Sequence, residues 1–199
     1  MNPWDLHPKL TRERLVAIGQ LIQRGRNEAL DRFNPVIGCD GWTVGCEAFA
    51  FQKHQIIQAA GVVEWLEILD ASMQFVFCID GIPARFYRGE PEDPTARTLK
   101  QSYPELDQLS LFSADELKQL GSHLLYRFAV ETDLDGALRA VTFVVLSGEA
   151  PILTWQIPLD DPVTKISPLW VEGTEGVELP APAVGVPEHK DGKDAATGA

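Results

Sequence analysis

Arg85, Tyr87 and Arg88 close an apolar run, and Arg97 and Lys100 come shortly after them. Guanidinium groups at this spacing, with a phenol between them, suit the paired hydrogen bonding of a carboxylate or a phosphate. The competing account is charge balance, because Glu90, Glu92 and Asp93 stand alongside and charge runs of this kind are commonly solvated. Arg85, Tyr87, Arg88 and Arg97 are the anion-binding candidates.

A second group is acidic. Asp70, Asp80, Glu131 and Asp133 fall on or beside predicted strands, where convergence on one side of a sheet would let Asp80, Glu131 and Asp133 hold a divalent metal for a hydrolase or nuclease. Against this, no Glu-x-Lys follows an aspartate at a strand, and Asp80 has a structural role in a turn. Glu131 to Gly136 matches part of a calcium loop, but Thr142 stands where the terminal glutamate belongs. Cys39 and Cys46, with His54 or His123, match no zinc spacing, and no Cys–His pair stands out as a nucleophile. Ser147-Gly148 lacks the G-x-S-x-G context of a nucleophile elbow, and the chain carries no Walker A or dinucleotide glycine fingerprint. No cofactor is expected.

The third candidate is a docking helix. Net charge is -12, yet residues 9–32 hold Lys9, Arg12, Arg14, Arg24, Arg26 and Arg32 against Glu13, Glu28 and Asp31. Arg12, Gln20, Gln23, Arg24, Arg26 and Asn27 would face an acidic partner, or the helix would lie on the protein's own acidic sheet. The overall acidity disfavours nucleic acid as a general ligand.

The elements that must position these groups follow from periodicity. Leu15, Ile18, Ile22, Ala29 and Phe33 fall on one side of a helix spanning 10–33, with Thr11 as N-cap and Asn34-Pro35 as its stop. Trp42, Val44 and Cys46 alternate as in a short strand, a helix follows to Ala60, and 62–69 reads as helical. Asp80-Gly81 supplies the two positive-φ residues of a type I′ hairpin turn, pairing Ile79 with Ile82, Phe77 with Ala84 and Phe75 with Phe86. Pro83 argues that its strand is an edge or is bulged. Residues 89–112 read as irregular, and Ser113-Ala114-Asp115-Glu116 as a capping box. Placing Asp135-Gly136 in a turn pairs Val130 with Val141, Phe128 with Phe143 and Tyr126 with Val145, with Arg127, Glu131 and Asp133 on a wetter face. A turn at 147–150 leads into Ile152–Ile157.

The expected fold is α+β: an antiparallel sheet built from β-hairpins, packed with an N-terminal amphipathic helix and short helices. It occupies 1–171, and 172–199 is an acidic, Pro/Gly/Ala-rich tail expected to be disordered. Three widely spaced cysteines, no apolar run of about 20 residues and no signal-peptide layout at Met1–Asp5 give a soluble, cytosolic protein without a membrane partner. The functional expectation is a non-enzymatic binding or regulatory protein acting through protein–protein contacts, in the manner of bacterial or phage accessory and immunity factors. A divalent-metal-dependent hydrolase or nuclease is the alternative.

Overall fold

Side-chain caps fix where the two long helices begin. The Thr11 hydroxyl accepts the Arg14 N–H at 3.4 Å, and the Asp40 carboxylate accepts that of Thr43 at 2.8 Å. Each satisfies a donor that a first turn leaves without an intrahelical partner. In the computed structural model, which describes residues 1–110 and 124–160, a single turn α1 (Pro3–Leu6) precedes α2 (Arg12–Asp31) and α3 (Gly41–Ala60). α2 buries Leu15, Ile18, Leu21, Ile22 and Ala29; it stops at Asp31, so Phe33 lies off the stripe and is exposed. α3 replaces the strand expected at 42–46. Its buried residues are Val44, Ala48, Gln52, Ile56 and Ala59, a helical spacing, while Trp42 and Cys46 point to solvent. The two helices come close at Gly25, where a Cβ would lie 2.4 Å from the Gln52 backbone nitrogen.

Six strands follow: β1 (Leu66–Asp70), β2 (Val76–Ile79), β3 (Ile82–Arg88), β4 (Leu124–Thr132), β5 (Leu138–Ser147) and β6 (Ala150–Gln156). They form one sheet in chain order. β1 corrects the helix expected at 62–69: Leu66 pairs with Ile79 and Ile68 with Phe77, so both place their side chains on one face. The Asp80-Gly81 turn has φ of 52° and 87°, and the pairs Ile79–Ile82 and Phe77–Ala84 form as the turn requires. The β4–β5 ladder has the expected register, closed by a longer loop in which Gly136, at φ 83°, takes the left-handed position.

Between the meanders β1–β2–β3 and β4–β5–β6 the sheet departs from the all-hairpin expectation, because β3 and β4 run parallel. Parallel neighbours need a long crossover. Its described part, up to 110, is not irregular: it carries α4 (Ala96–Leu99) and α5 (Tyr103–Ser110). One face of the sheet meets α2 and α3 through Tyr126, Phe128, Val130, Val141 and Phe143. On the other face Leu125, Ala129, Val144 and Leu146 cluster with Tyr87 and Leu99. β4 is therefore buried on both sides, which corrects the expectation of a wet face: Arg127 and Glu131 are buried, and of the three residues placed there Asp133 alone is exposed.

The capping box at 113–116 and the tail from 172 lie outside the described residues. Among the described residues, no helix is long and apolar enough to cross a membrane.

Candidate functional site

Pro83 and Phe75 together shape a gap in the sheet. The Gly89 N–H donates to the Val130 carbonyl at 3.2 Å, which sets the phase of the parallel ladder. Alternation then turns the backbone groups of Tyr87 and Arg85 toward β4, and those of Ala84, Phe86 and Arg88 the other way. β3 is thus an interior strand without a register shift at Pro83, not the edge or bulged strand expected there; the missing N–H falls on the β4 side just before that ladder begins at Ala84. On the other side β2 pairs no further than Ala84. Phe75, at φ 33°, turns away and donates its N–H to the Ser72 carbonyl at 3.2 Å, so the expected Phe75–Phe86 backbone pair does not form. Their rings still meet, with centroids 5.8 Å apart. Among the described residues, the last residues of β3 keep an open edge.

A cleft of about 660 Å³ lies along that edge. It reaches both faces of the sheet. On the helix side Trp42, Phe49, Phe86 and Arg88 line it, and on the opposite side Arg85, Tyr87, Arg97, Thr98 and Arg127 do. Met73 and Gln74 complete the mouth with Lys53. The wall is therefore cationic and aromatic, within a chain of net charge -12.

Arg127 organises the inner wall. Its side chain is 1% exposed. Nε donates to the Thr98 carbonyl at 3.0 Å, and Nη1 to Glu105 Oε1 at 2.6 Å and to the Tyr126 carbonyl at 3.0 Å. Nη2 has no hydrogen-bond partner among the described residues. Burial pulls the guanidinium pKa below the ordinary arginine value, and Glu105 opposes that. Glu105 is itself held by the Ser102 N–H and hydroxyl, both at 2.7 Å, and lies 3.8 Å from Arg85 Nη1. Burial pushes the Tyr87 phenol up to about 12, so it stays a neutral donor, its hydroxyl hydrogen-bonding to the Glu90 carbonyl at 3.0 Å. Arg97 donates to the Met73 carbonyl at 3.5 Å. Neither Arg88 nor Arg97 forms an ion pair with a carboxylate among the described residues; Glu90 pairs with Arg139 instead.

The four anion-binding candidates Arg85, Tyr87, Arg88 and Arg97 all line this cleft, whereas Lys100 does not. Arg127 and Glu105 escaped the sequence reading; the one available signal was a single arginine inside the apolar run Leu124–Val130.

The other candidates are scattered. Among the described residues, no group of three or more His, Cys, Asp or Glu side chains could hold a metal ion. Asp80 pairs with Arg14 at 2.8 Å, Asp70 accepts the Ser72 N–H, Asp133 accepts the Ala137 N–H, and Glu131 binds Arg139 and Thr142. Asp133 is thus part of the loop's own turn. Cys39, Cys46 and Cys78 are free thiols, and His123 lies outside the described residues. On α2, Arg12, Arg24 and Asn27 are exposed, while Gln20 donates to the Leu159 carbonyl at 3.0 Å. Arg26 corrects its reading as a docking residue: it is 3% exposed and its Nε donates to the Gly136 carbonyl at 2.7 Å.

Compared with protein-family models, curated proteins and solved structures, the chain matches none.

Proposed function

We propose that the protein is a non-enzymatic binding protein whose working part is the cleft beside β3, and that its ligand carries a carboxylate or a phosphate. One observation carries this reading: Arg127 lines the cleft, and its buried Nη2 has no hydrogen-bond partner among the described residues. A buried donor left unsatisfied costs about 1–3 kcal/mol, and more when charged. An oxyanion that entered the cleft and reached Nη2 by a small shift of the lining side chains would recover that loss through charge-assisted bonds, with Arg85 and Arg97 at hand. The lining contains no aspartate, glutamate or histidine among the described residues; its ionisable side chains are arginines, Lys53, Cys46 and Tyr87. No observation favours the metal-hydrolase alternative.

The test is a thermal shift of the full chain with benzoate, hexanoate and phenyl phosphate, beside benzyl alcohol and hexanol as neutral counterparts. The anions are expected to raise Tm in a salt-sensitive way, and the alcohols are not. The gain should fall in Arg97→Ser, which removes a mostly exposed group, and vanish in the charge-balanced double variant Arg127→Met/Glu105→Gln. Equal shifts from acids and alcohols, or shifts indifferent to these variants, would overturn the reading.

A further inference from the structure

The open edge of β3 adds what a small anion does not use. Phe86 and Arg88 turn their backbone N–H and C=O groups toward the cleft, since Tyr87 and Arg85 serve β4 and β2 ends its pairing at Ala84. An unpaired strand edge is a template for another strand. Successive residues of an added strand point to opposite faces of the sheet. The cleft walls differ in the same alternating sense: mostly aromatic on the helix side at Trp42, Phe49 and Phe86, with Arg88 beside them, and mostly guanidinium on the other at Arg85, Arg97 and Arg127, with Tyr87 among them. At the mouth, Trp42 and Met73 are 76% and 70% exposed, a large apolar rim for a ligand of a few heavy atoms.

We infer that the cleft receives an extended peptide segment of another protein, which adds to β3 at Phe86 and Arg88, sets a carboxylate against Arg127 and seats the neighbouring apolar side chain against Phe49 and Phe86. The recognised element is an acidic residue next to an apolar one, in β conformation. Charge complementarity selects the acid, and the two-sided wall selects the adjacency. The carboxylate comes from an aspartate or glutamate side chain, or from a peptide C-terminus. The inference rests on the anion-binding reading of the cleft and adds the main-chain pairing.

Fluorescence anisotropy of the full chain with labelled acetyl-Thr-Val-Glu-Val-Thr-amide tests it. Glutamine in place of the glutamate should weaken binding about tenfold or more. N-methylation of successive peptide nitrogens should weaken it at alternate positions only, because every second N–H faces β3. Arg88→Pro should weaken it beyond Arg88→Ala, since proline there removes an edge donor that the β3–β4 ladder does not use. The free-acid peptide acetyl-Thr-Val-Thr-Val, without a side-chain carboxylate, separates the two sources: binding only there assigns the site to a C-terminus. Peptides that bind no more tightly than hexanoate, or a methylation scan without alternation, would overturn the strand-addition inference while small anions still bound through Arg127. Failure of peptides and small anions alike would sink the anion reading as well.

Discussion

Arg127 on β4 and Glu105 on α5 form a buried ion pair, Nη1 to Oε1 at 2.6 Å, that anchors the crossover to the far face of the sheet. Two charges removed from water stabilise a fold only as long as each has the other. Glu105→Ala is therefore expected to cost about 3–5 kcal/mol, because it leaves a buried guanidinium uncompensated. The double variant Arg127→Met/Glu105→Met should recover much of that loss, short of what Ser102 and Thr98 lose as partners, while losing anion binding. Urea denaturation of the wild type, Arg127→Met, Glu105→Met and the double variant gives the coupling directly. Additive losses would mean that the pair does not act as a unit.

Gly25 tests the approach of α2 to α3. Alanine is the better helix former by about 1 kcal/mol, so propensity alone predicts that Gly25→Ala stabilises. A Cβ there would lie 2.4 Å from the Gln52 nitrogen and 2.7 Å from the Phe51 carbonyl carbon, backbone atoms that a rotamer change does not move. The Gln52 side chain also donates to the Ile22 carbonyl at 3.2 Å, fixing the same contact. The helices must part, so a net loss of about 1–3 kcal/mol is expected. Any gain in Tm would refute the close approach.

These contacts show which parts of the fold local sequence carries. The Asp80-Gly81 hairpin was legible because its conformational demand and its apolar face lie within a few residues. α2 was legible from Thr11 and its apolar stripe. Trp42, Val44 and Cys46 misled, since a short alternation fits a strand as well as a helix, and the Asp40 cap decides it. At 66–70 the decision came from pairing with β2, a partner outside the window that periodicity samples. The site divides the same way. Arg85, Tyr87, Arg88 and Arg97 announce themselves as cations near one another with a phenol among them, whereas Arg127 meets Glu105 across 22 positions only because the crossover returns the chain parallel to β3.

Gly136 and Gly148 separate backbone strain from crowding. Both hold positive φ, 83° and 62°, where an L side chain costs about 1–2 kcal/mol. Around Gly148 nothing lies within 4 Å of where an added methyl group would stand, so Gly148→Ala should cost only that strain. At Gly136 the added Cβ would sit 2.8 Å from Arg26 Nη2. The guanidinium that binds the Gly136 carbonyl would be displaced, loosening the tie between α2 and the β4–β5 loop. Gly136→Ala is expected to lose clearly more stability than Gly148→Ala in parallel thermal melts. Equal losses would show that Arg26 contributes nothing there.

Cys78 gives the fold an alkaline limit. It pairs with Pro83 in the middle of β2–β3 and is fully buried, and that burial pushes its thiol from an ordinary 9.0 up to about 12. The folded state thus holds the proton more tightly than the unfolded chain. Stability from this group is complete below pH 9.0 and drains away as pH rises toward about 12. Between pH 9 and 10 the loss should come to about 1 kcal/mol. Tyr87, raised from 10.0 to about 12, adds a loss of the same sign at higher pH. Cys78→Val keeps an apolar side chain of similar size and removes the ionisation, so its stability should stay flatter than the wild type's over that first unit. Denaturant melts at pH 8, 9 and 10 measure the difference, and parallel curves would exclude Cys78 as the source. Iodoacetamide at pH 8 supplies an independent check: it should label the exposed Cys46 while the native fold spares Cys78.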